Sequence, residues 1–201
     1  TFANVDAFPI VLDTQDPNEI VETVIRIAPA FGGINLEDIA APKCFEIERR
    51  IIEALDIPVM HDDQHGTAIV VLAALTNAIK VVRKRLQTAR IVIIGAGAAG
   101  AATADLLHAA GAKDIVVLDS KGIVDTSRPE AHKRLLAKFN KRGIKGGLRD
   151  ALKGADILLG VSGPNLVKVD DVRVMEKRPS YSRWRIPRPR SCRIQRSVEE
   201  L

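Results

Sequence analysis

The sequence predicts an α/β protein built on a doubly wound parallel sheet, with a smaller α/β unit before it. A β-branched run at residues 89–94 passes directly into the glycine turn Gly95-Ala-Gly-Ala-Ala-Gly100 and then into a helix of small residues. Two further apolar runs, residues 114–118 and 157–161, are separated by helical patterns. This β-α-β-α-β order is typical of a Rossmann-like sheet covered by helices on both faces.

Apolar periodicity and turn residues define the remaining elements. The clearest start signal is Asp16-Pro17 with Glu19 behind it, which combines an N-cap, a first-turn proline and a capping-box acid. Helices are predicted over residues 17–28, 42–55, 67–86, 101–110, 127–139 and 148–153, and the additional strands over residues 5–12, 34–39 and 57–60. A junction after the long third helix gives domains at 1–86 and 87–179, followed by a tail at 180–201.

The composition is that of a soluble globular protein, with 46% hydrophobic and 27% charged residues in a chain of 201. The longest apolar run, residues 68–75, is far shorter than the ~20 residues that cross a membrane, so no membrane contact is expected. There is no secretory signal pattern. Two cysteines, Cys44 and Cys192, form no disulfide framework. We therefore expect a cytoplasmic protein.

The glycine turn predicts a dinucleotide site because an acidic residue, Asp119, follows the next strand. Gly95 permits the tight turn, Gly97 admits the pyrophosphate, and Gly100 lets helix and strand pack closely. Asp119 favours NAD through the ribose hydroxyls, whereas the adjacent Ser120 and Lys121 favour the 2′-phosphate of NADP. The sequence leaves NAD and NADP both open. The predicted cofactor residues are Gly95, Ala96, Gly97, Ala98, Ala99, Gly100, Asp119, Ser120 and Lys121.

Three carboxylates, Glu37, Asp38 and Asp63, each follow a short apolar strand. Strand ends in a parallel sheet meet at one edge, so these oxygens could bind a hard divalent cation such as Mg²⁺ or Mn²⁺. The alternative is that the acidic pairs 37–38 and 62–63 only cap helices, with no metal. Spacing alone does not choose between these explanations. His61 and His65 are interpreted as packing or capping residues.

Four stretches together resemble the malic enzymes, and the likeness runs from about residue 1 to residue 179. They are Gly32-Gly-Ile-Asn-Leu-Glu-Asp-Ile39, Cys44-Phe-Glu-Ile-Glu48, Ile57-Pro-Val-Met-His-Asp-Asp-Gln-His-Gly-Thr-Ala68 and the glycine turn after Ile94. The closest likeness is to the bacterial type. The fold this implies is a Rossmann-like doubly wound parallel sheet preceded by part of an α/β substrate and metal domain.

The resemblance implies an oxidoreductase that converts malate to pyruvate and CO₂ with reduction of NAD or NADP and a bound Mg²⁺ or Mn²⁺. It assigns Glu37, Asp38 and Asp63 to the metal and Asp62 to positioning the catalytic lysine. Ser162 and Gly163 would lie near the nicotinamide. The implied partner is a small-molecule substrate, and relatives are expected to be homo-oligomers. The family's catalytic tyrosine and lysine belong upstream of Thr1, so this chain by itself is expected to be inactive.

Residues 180–201 depart from the family. Residues 177–201 contain eight basic and two acidic residues, whereas residues 1–176 contain 22 basic and 23 acidic ones. Back-translation from Ser180, read one nucleotide earlier, permits the Ala-Asn-Pro-Glu segment that the family has at this position. We therefore expect a frameshift near Pro179 and a disordered tail without specific nucleic-acid binding.

Two other functions remain as alternatives. One is a different two-domain NAD(P)-dependent hydroxy- or amino-acid dehydrogenase, which would need no metal. The other is a nucleic-acid-binding module formed by the arginine-rich tail around Trp184.

Overall fold

The structure is a computed structural model that describes residues 4–163, 166–176 and 180–183, the last four by their backbone alone. The chain divides into two compact units, residues 1–62 and residues 63–201. The described helices are α1 (Pro17–Ile27), α2 (Lys43–Ala54), α3 (Thr67–Val81), α4 (Ala98–Ala109), α5 (Ala131–Leu136), α6 (Leu148–Leu152) and α7 (Val169–Val172). The described strands are β1 (Ile34–Leu36), β2 (Val59–His61), β3 (Arg90–Ile94), β4 (Asp114–Asp119), β5 (Gly122–Ile123), β6 (Ile157–Gly160) and β7 (Ser180–Arg183).

The first unit packs two amphipathic helices against a short parallel sheet. Asp16 begins α1 as predicted, since its carboxylate accepts hydrogen bonds from the backbone N–H groups of Asn18 at 2.7 Å and Glu19 at 3.3 Å. The apolar faces of α1 and α2 form one buried cluster with Leu36 of β1. Its members are Ile20, Val21, Val24, Leu36, Ile47 and Ile51.

Residues 5–12, predicted as a strand, form none in the structure. Val5, Phe8 and Val11 are exposed by 67%, 71% and 92% respectively. A strand requires a partner for its backbone hydrogen bonds. In the described part of the first unit only β1 and β2 pair with each other, so the apolar alternation of residues 5–12 has no sheet to join.

The second unit contains a five-stranded sheet in the order β5-β4-β3-β6-β7. Strands β4, β3, β6 and β7 run parallel, and β5 is an antiparallel edge strand. The central strands are buried on both faces, as their continuous β-branched composition predicts. On one face Val92, Val116 and Leu158 pack with Ala151 and Leu152 of α6. The predicted doubly wound parallel sheet is confirmed.

The division between the units lies at Asp62 and Asp63, whereas the predicted junction lay between residues 86 and 87. The difference is helix α3, which packs against α4 and so joins the second unit. Lys84, just beyond α3, pairs with Asp156 before β6. The apolar character of α3 signalled burial, but nothing local in the sequence shows which partner buries it.

The predicted capping box at residues 127–130 is not formed. Ser127 donates both its hydroxyl and its backbone N–H to Asp125 and does not cap α5, which begins after Glu130. Asp125 offers a competing local acceptor, which explains the shorter helix.

The first four residues of the predicted disordered tail form β7, which pairs with β6. The rest of the tail lies outside the described residues. No helix in the described ranges has the length and apolarity needed to cross a membrane.

Candidate dinucleotide site and acidic strand ends

Two glycines shape the turn after β3. Gly95 has a φ of +122°, a conformation that side chains disfavour, and a methyl group there would lie 3.0 Å from the carbonyl oxygen of Val161. At Gly100 a methyl group would lie 1.7 Å from the carbonyl oxygen of Gly95. Helix α4 can therefore pack against the turn only if residue 100 has no side chain.

Gly97 is not required by the fold. It is the N-cap of α4 with a φ of −87°, and no atom lies within 4 Å of the place a methyl group would take. Backbone N–H groups at a helix start lack intrahelical partners and favour an anion together with the helix dipole. Open space beside this helix start fits a pyrophosphate. The neighbours Ala96 and Ala99 are buried, so they would contribute only backbone groups, and Ala98 is half-buried.

The turn lies where the chain reverses its direction of winding. From β3 the chain passes through α4 to β4 on one side and later returns to β6 on the other side. In parallel α/β sheets, ligands bind at the carboxyl ends of the strands at such a point. Ser162 and Gly163 follow β6 and are exposed, and the Cβ of Ser162 lies 3.2 Å from the methyl position on Gly95. The structure thus brings the predicted pyrophosphate and nicotinamide loops together.

Asp119 ends β4 at the same sheet edge, because Ile94 and Leu118 are paired neighbours. Its side chain is only 9% exposed and is surrounded by donors. The Lys121 N–H donates to Oδ1 at 2.8 Å, Arg128 Nη2 donates to Oδ1 at 3.0 Å, and Lys133 Nζ donates to Oδ2 at 3.1 Å. The hydrogen bonds to Asp119 and then to Glu130 raise the pKa of Lys133 above its ordinary value.

Arg128 and Lys133 are the residues near this site that sequence reasoning missed. Ser120 and Lys121, which it singled out, form the exposed two-residue turn between β4 and β5. Arg128 and Lys133 lie 9 and 14 positions beyond Asp119. No spacing rule predicts that contact, because it depends on how the β4–β5 turn directs the chain back. Their only signal was positive charge shortly after a strand that ends in an acid.

The acidic residues at positions 37, 38, 62 and 63 follow two paired strands. Leu36 and His61, the last residues of β1 and β2, are parallel partners. Glu37 and Asp38 are exposed, with Asp38 at a φ of 58°. Asp62 and Asp63 are half-buried in the π-helical turn Asp62–Gly66 that precedes α3.

Neither acidic pair caps a helix, which was the alternative explanation for both. The N-caps of α2 and α3 are Pro42 and Gly66, and neither helix has a side-chain cap. The described residues also contain no group of three His, Cys, Asp or Glu side chains that could hold a metal ion. The carboxylates have suitable chemistry for a hard cation, but they do not form a ready metal site.

His61 is a packing residue. Its side chain is fully buried, and its ring nitrogens have no hydrogen-bond partner among the described residues. Its backbone N–H donates to Oε1 of the buried Glu48 at 2.9 Å, which holds β2 against α2. His65 is exposed.

Known proteins were compared with the whole chain. Residues 64–180 match the family model described as the malic enzyme NAD binding domain, and residues 12–52 match the malic enzyme N-terminal domain. The NAD-dependent malic enzyme of Geobacillus stearothermophilus is 52% identical over 89% of this chain and 38% of its own length. The bifunctional malic/malolactic enzyme of Bacillus subtilis is 48% identical over 94% of this chain and 47% of its own length.

Solved structures give the same result. The crystal structure of the NAD-dependent malic enzyme from Thermotoga maritima superimposes with a TM-score of 0.86 at 41% identity, over 90% of this chain and 49% of the other. The chain therefore spans less than half the length of each of these relatives.

The parallel sheet, the glycine turn at its switch point and the acid after β4 define a dinucleotide-binding α/β protein. The matched models place it more narrowly. The chain belongs to the malic enzyme family. The predicted resemblance is confirmed, and the alternative of a different dehydrogenase family is excluded. The proposed nucleic-acid module falls on the tail, most of which lies outside the described residues.

Proposed function

We propose that the second unit binds NAD or NADP at the turn after β3, as part of a malic enzyme that oxidatively decarboxylates malate. In that reaction malate and NAD(P)⁺ give pyruvate, CO₂ and NAD(P)H. The open space at Gly97, beside the start of α4, is the observation that carries the proposal. Family membership supports the reaction, which is proposed for the whole enzyme rather than for this chain alone.

Each predicted cofactor residue has a role in this proposal. The backbone from Gly95 to Gly100 holds the pyrophosphate, Asp119 accepts hydrogen bonds from the adenosine ribose, and Ser162 and Gly163 border the nicotinamide. When bound, the nicotinamide ring supplies the chemistry by accepting a hydride from malate. The chain's own contribution is to bind and orient the ring through rigid strand ends.

We also propose that Glu37, Asp38 and Asp63 contribute oxygen ligands to Mg²⁺ or Mn²⁺. Carboxylates suit these cations, which often complete their coordination with water and substrate oxygens. Such a site need not hold a metal before the substrate binds. Asp62 is proposed, by the family resemblance, to position a catalytic lysine.

Dinucleotide binding is tested by titrating the purified chain with NADH and following nicotinamide fluorescence. The Gly97→Ala variant adds a methyl group where the pyrophosphate should lie, so its affinity should fall at least about tenfold, or about 1.4 kcal/mol. Gly32→Ala is the matched control, because its methyl position is also free of neighbours. Equal NADH affinities for the wild type and Gly97→Ala would refute the proposed pyrophosphate position.

The metal proposal is tested by electron paramagnetic resonance of Mn²⁺ in the presence of malate. Binding should weaken about tenfold or more in Glu37→Gln, since a charged ligand becomes neutral. Glu22→Gln is the control, because Glu22 pairs only with Arg26 on the exposed face of α1. If both variants bind Mn²⁺ equally well, Glu37 is not a ligand.

A further inference from the structure

The contacts of Asp119 bear on the choice between NAD and NADP, a choice that family membership does not make. Relatives with similar identity include the NAD-dependent enzyme of Geobacillus stearothermophilus, at 52%, and the NADP-dependent enzyme of Halomonas elongata, at 46%. The two dinucleotides differ by a phosphate on the adenosine 2′-hydroxyl. The residues beside that hydroxyl therefore decide the preference.

Two cations hold the carboxylate of Asp119. Arg128 is 12% exposed and Lys133 is 19% exposed, so neither behaves as a freely solvated surface charge. Arg128 Nη2 donates not only to Asp119 but also to the carbonyl oxygens of Gly122 at 3.3 Å and Ile123 at 3.1 Å. Lys133 also pairs with Glu130 at 3.1 Å. The backbone carbonyls and Glu130 thus fix both cations against Asp119.

This arrangement has opposite consequences for the two cofactors. An ionised Asp119, held in one orientation, can accept hydrogen bonds from the ribose hydroxyls of NAD. A 2′-phosphate would face that carboxylate, and like charges at close range repel. The same phosphate would, however, meet two cations suited to bind it, if Asp119 did not already engage them.

Arg128 retains donors for such a phosphate. An arginine side chain has five N–H donors, and across the described part of the chain the hydrogen bonds of Arg128 all use Nη2. The donors on Nε and Nη1 can therefore receive an anion without releasing the backbone of β5. Lys133, in contrast, would have to exchange Asp119 for the phosphate.

We propose that Arg128 and Lys133 determine the dinucleotide preference of this chain. While Asp119 engages them, the site prefers NAD; when that carboxylate is neutralised, the same two cations bind the 2′-phosphate and the preference reverses. This proposal rests on the dinucleotide site described above. It differs from the sequence-based expectation, in which Ser120 and Lys121 received the phosphate.

Titrations of the full chain with NADH and with NADPH, followed by nicotinamide fluorescence, test the proposal. The wild type should bind NADH about tenfold more tightly than NADPH, and Asp119→Asn should reverse this ratio. Adding Lys133→Gln to Asp119→Asn should remove the gain in NADPH affinity, whereas adding Lys121→Gln should leave it in place. Because the readout is a ratio, a general loss of stability does not produce the expected pattern.

A matched control comes from Asp105 and Lys138, which also pair at 3.1 Å in the second unit but are exposed by 60% and 55%. Asp105→Asn and Lys138→Gln should leave both affinities unchanged. If Asp119→Asn fails to fold, Lys133→Gln alone should weaken NADPH about tenfold and NADH much less.

The outcomes separate this proposal from the proposed function. A wild-type chain that binds neither dinucleotide refutes the dinucleotide site itself. A chain that binds them with an unchanged NADH/NADPH ratio in Asp119→Asn refutes only the role of Arg128 and Lys133. Loss of the NADPH gain through Lys121→Gln, but not through Lys133→Gln, would assign the phosphate to the β4–β5 turn instead.

Discussion

A methyl group on Gly100 would lie 1.7 Å from the carbonyl oxygen of Gly95, a distance that no relaxed structure tolerates. The obstacle is backbone, so it cannot rotate away as a side chain could. The Gly100→Ala variant should therefore lose about 2–4 kcal/mol of unfolding free energy, measured by urea denaturation.

Gly97→Ala provides the comparison for this prediction. Its methyl group meets no atom within 4 Å, and alanine is a better helix former than glycine. Its unfolding free energy should equal or slightly exceed that of the wild type. Equal destabilisation by both substitutions would show that the turn and α4 do not pack as described.

The contrast between these glycines shows how far the sequence can be interpreted. The strand, glycine turn and helix lie next to one another in the sequence, so their local pattern predicted the turn and the place of Asp119 correctly. The sequence did not show that Gly100 serves packing whereas Gly97 leaves space, because that distinction depends on the return of β6 beside β3.

The incorrect predictions share one cause, which is dependence on distant partners. Residues 5–12 alternate like a strand, but strand formation depends on a neighbouring strand. Helix α3 was assigned to the first domain by position, whereas its packing on α4 assigns it to the second unit. Arg128 and Lys133 reach Asp119 only after the chain turns back at β5.

The N-cap of α1 was predicted from sequence alone, and its energetic value can be measured. Asp16 accepts two backbone hydrogen bonds at the helix start, so Asp16→Ala should lower the unfolding free energy by about 1 kcal/mol. Glu22→Gln removes an exposed ion pair with Arg26 on the same helix and should cost less than about 0.5 kcal/mol. Equal costs in urea denaturation would mean that the cap adds nothing beyond a surface charge.

The reading frame at the C-terminal end gives a prediction that needs no protein. The match to the malic enzyme model ends at residue 180, next to the expected shift at Pro179. We expect the coding DNA, read one nucleotide earlier from the codon of Ser180, to encode an Ala-Asn-Pro-Glu segment. DNA sequencing that finds no open frame with this segment would contradict the frameshift and leave the basic tail as the intended sequence.

Asp156 and Lys84 form a half-buried ion pair that links the chain after α3 to the start of β6, with side chains 15% and 18% exposed. Burial alone would raise the pKa of Asp156. The hydrogen bonds from Lys84 and the Arg90 N–H, together with their positive charges, outweigh burial and hold that pKa below its ordinary value. The carboxylate therefore stabilises the fold in its ionised form.

A lowered pKa in the folded state fixes the direction of the pH dependence. The stabilisation is complete above the ordinary carboxyl pKa near 4 and is lost as the pH falls through the lower pKa of the folded state. Asp156→Asn should thus reduce the unfolding free energy by about 1–3 kcal/mol at pH 7, and the difference from wild type should shrink below about pH 4.

Asp170→Asn is the matched control for Asp156→Asn. Asp170 pairs with Arg173 at 2.8 Å, but these side chains are 74% and 75% exposed, so solvent should screen the pair. Its substitution should change the unfolding free energy by less than about 0.5 kcal/mol at either pH. A difference between Asp156→Asn and wild type that stays constant from pH 7 to pH 3 would show that the charge of Asp156 contributes nothing, and that only its shape or its hydrogen bonds to neutral groups matter.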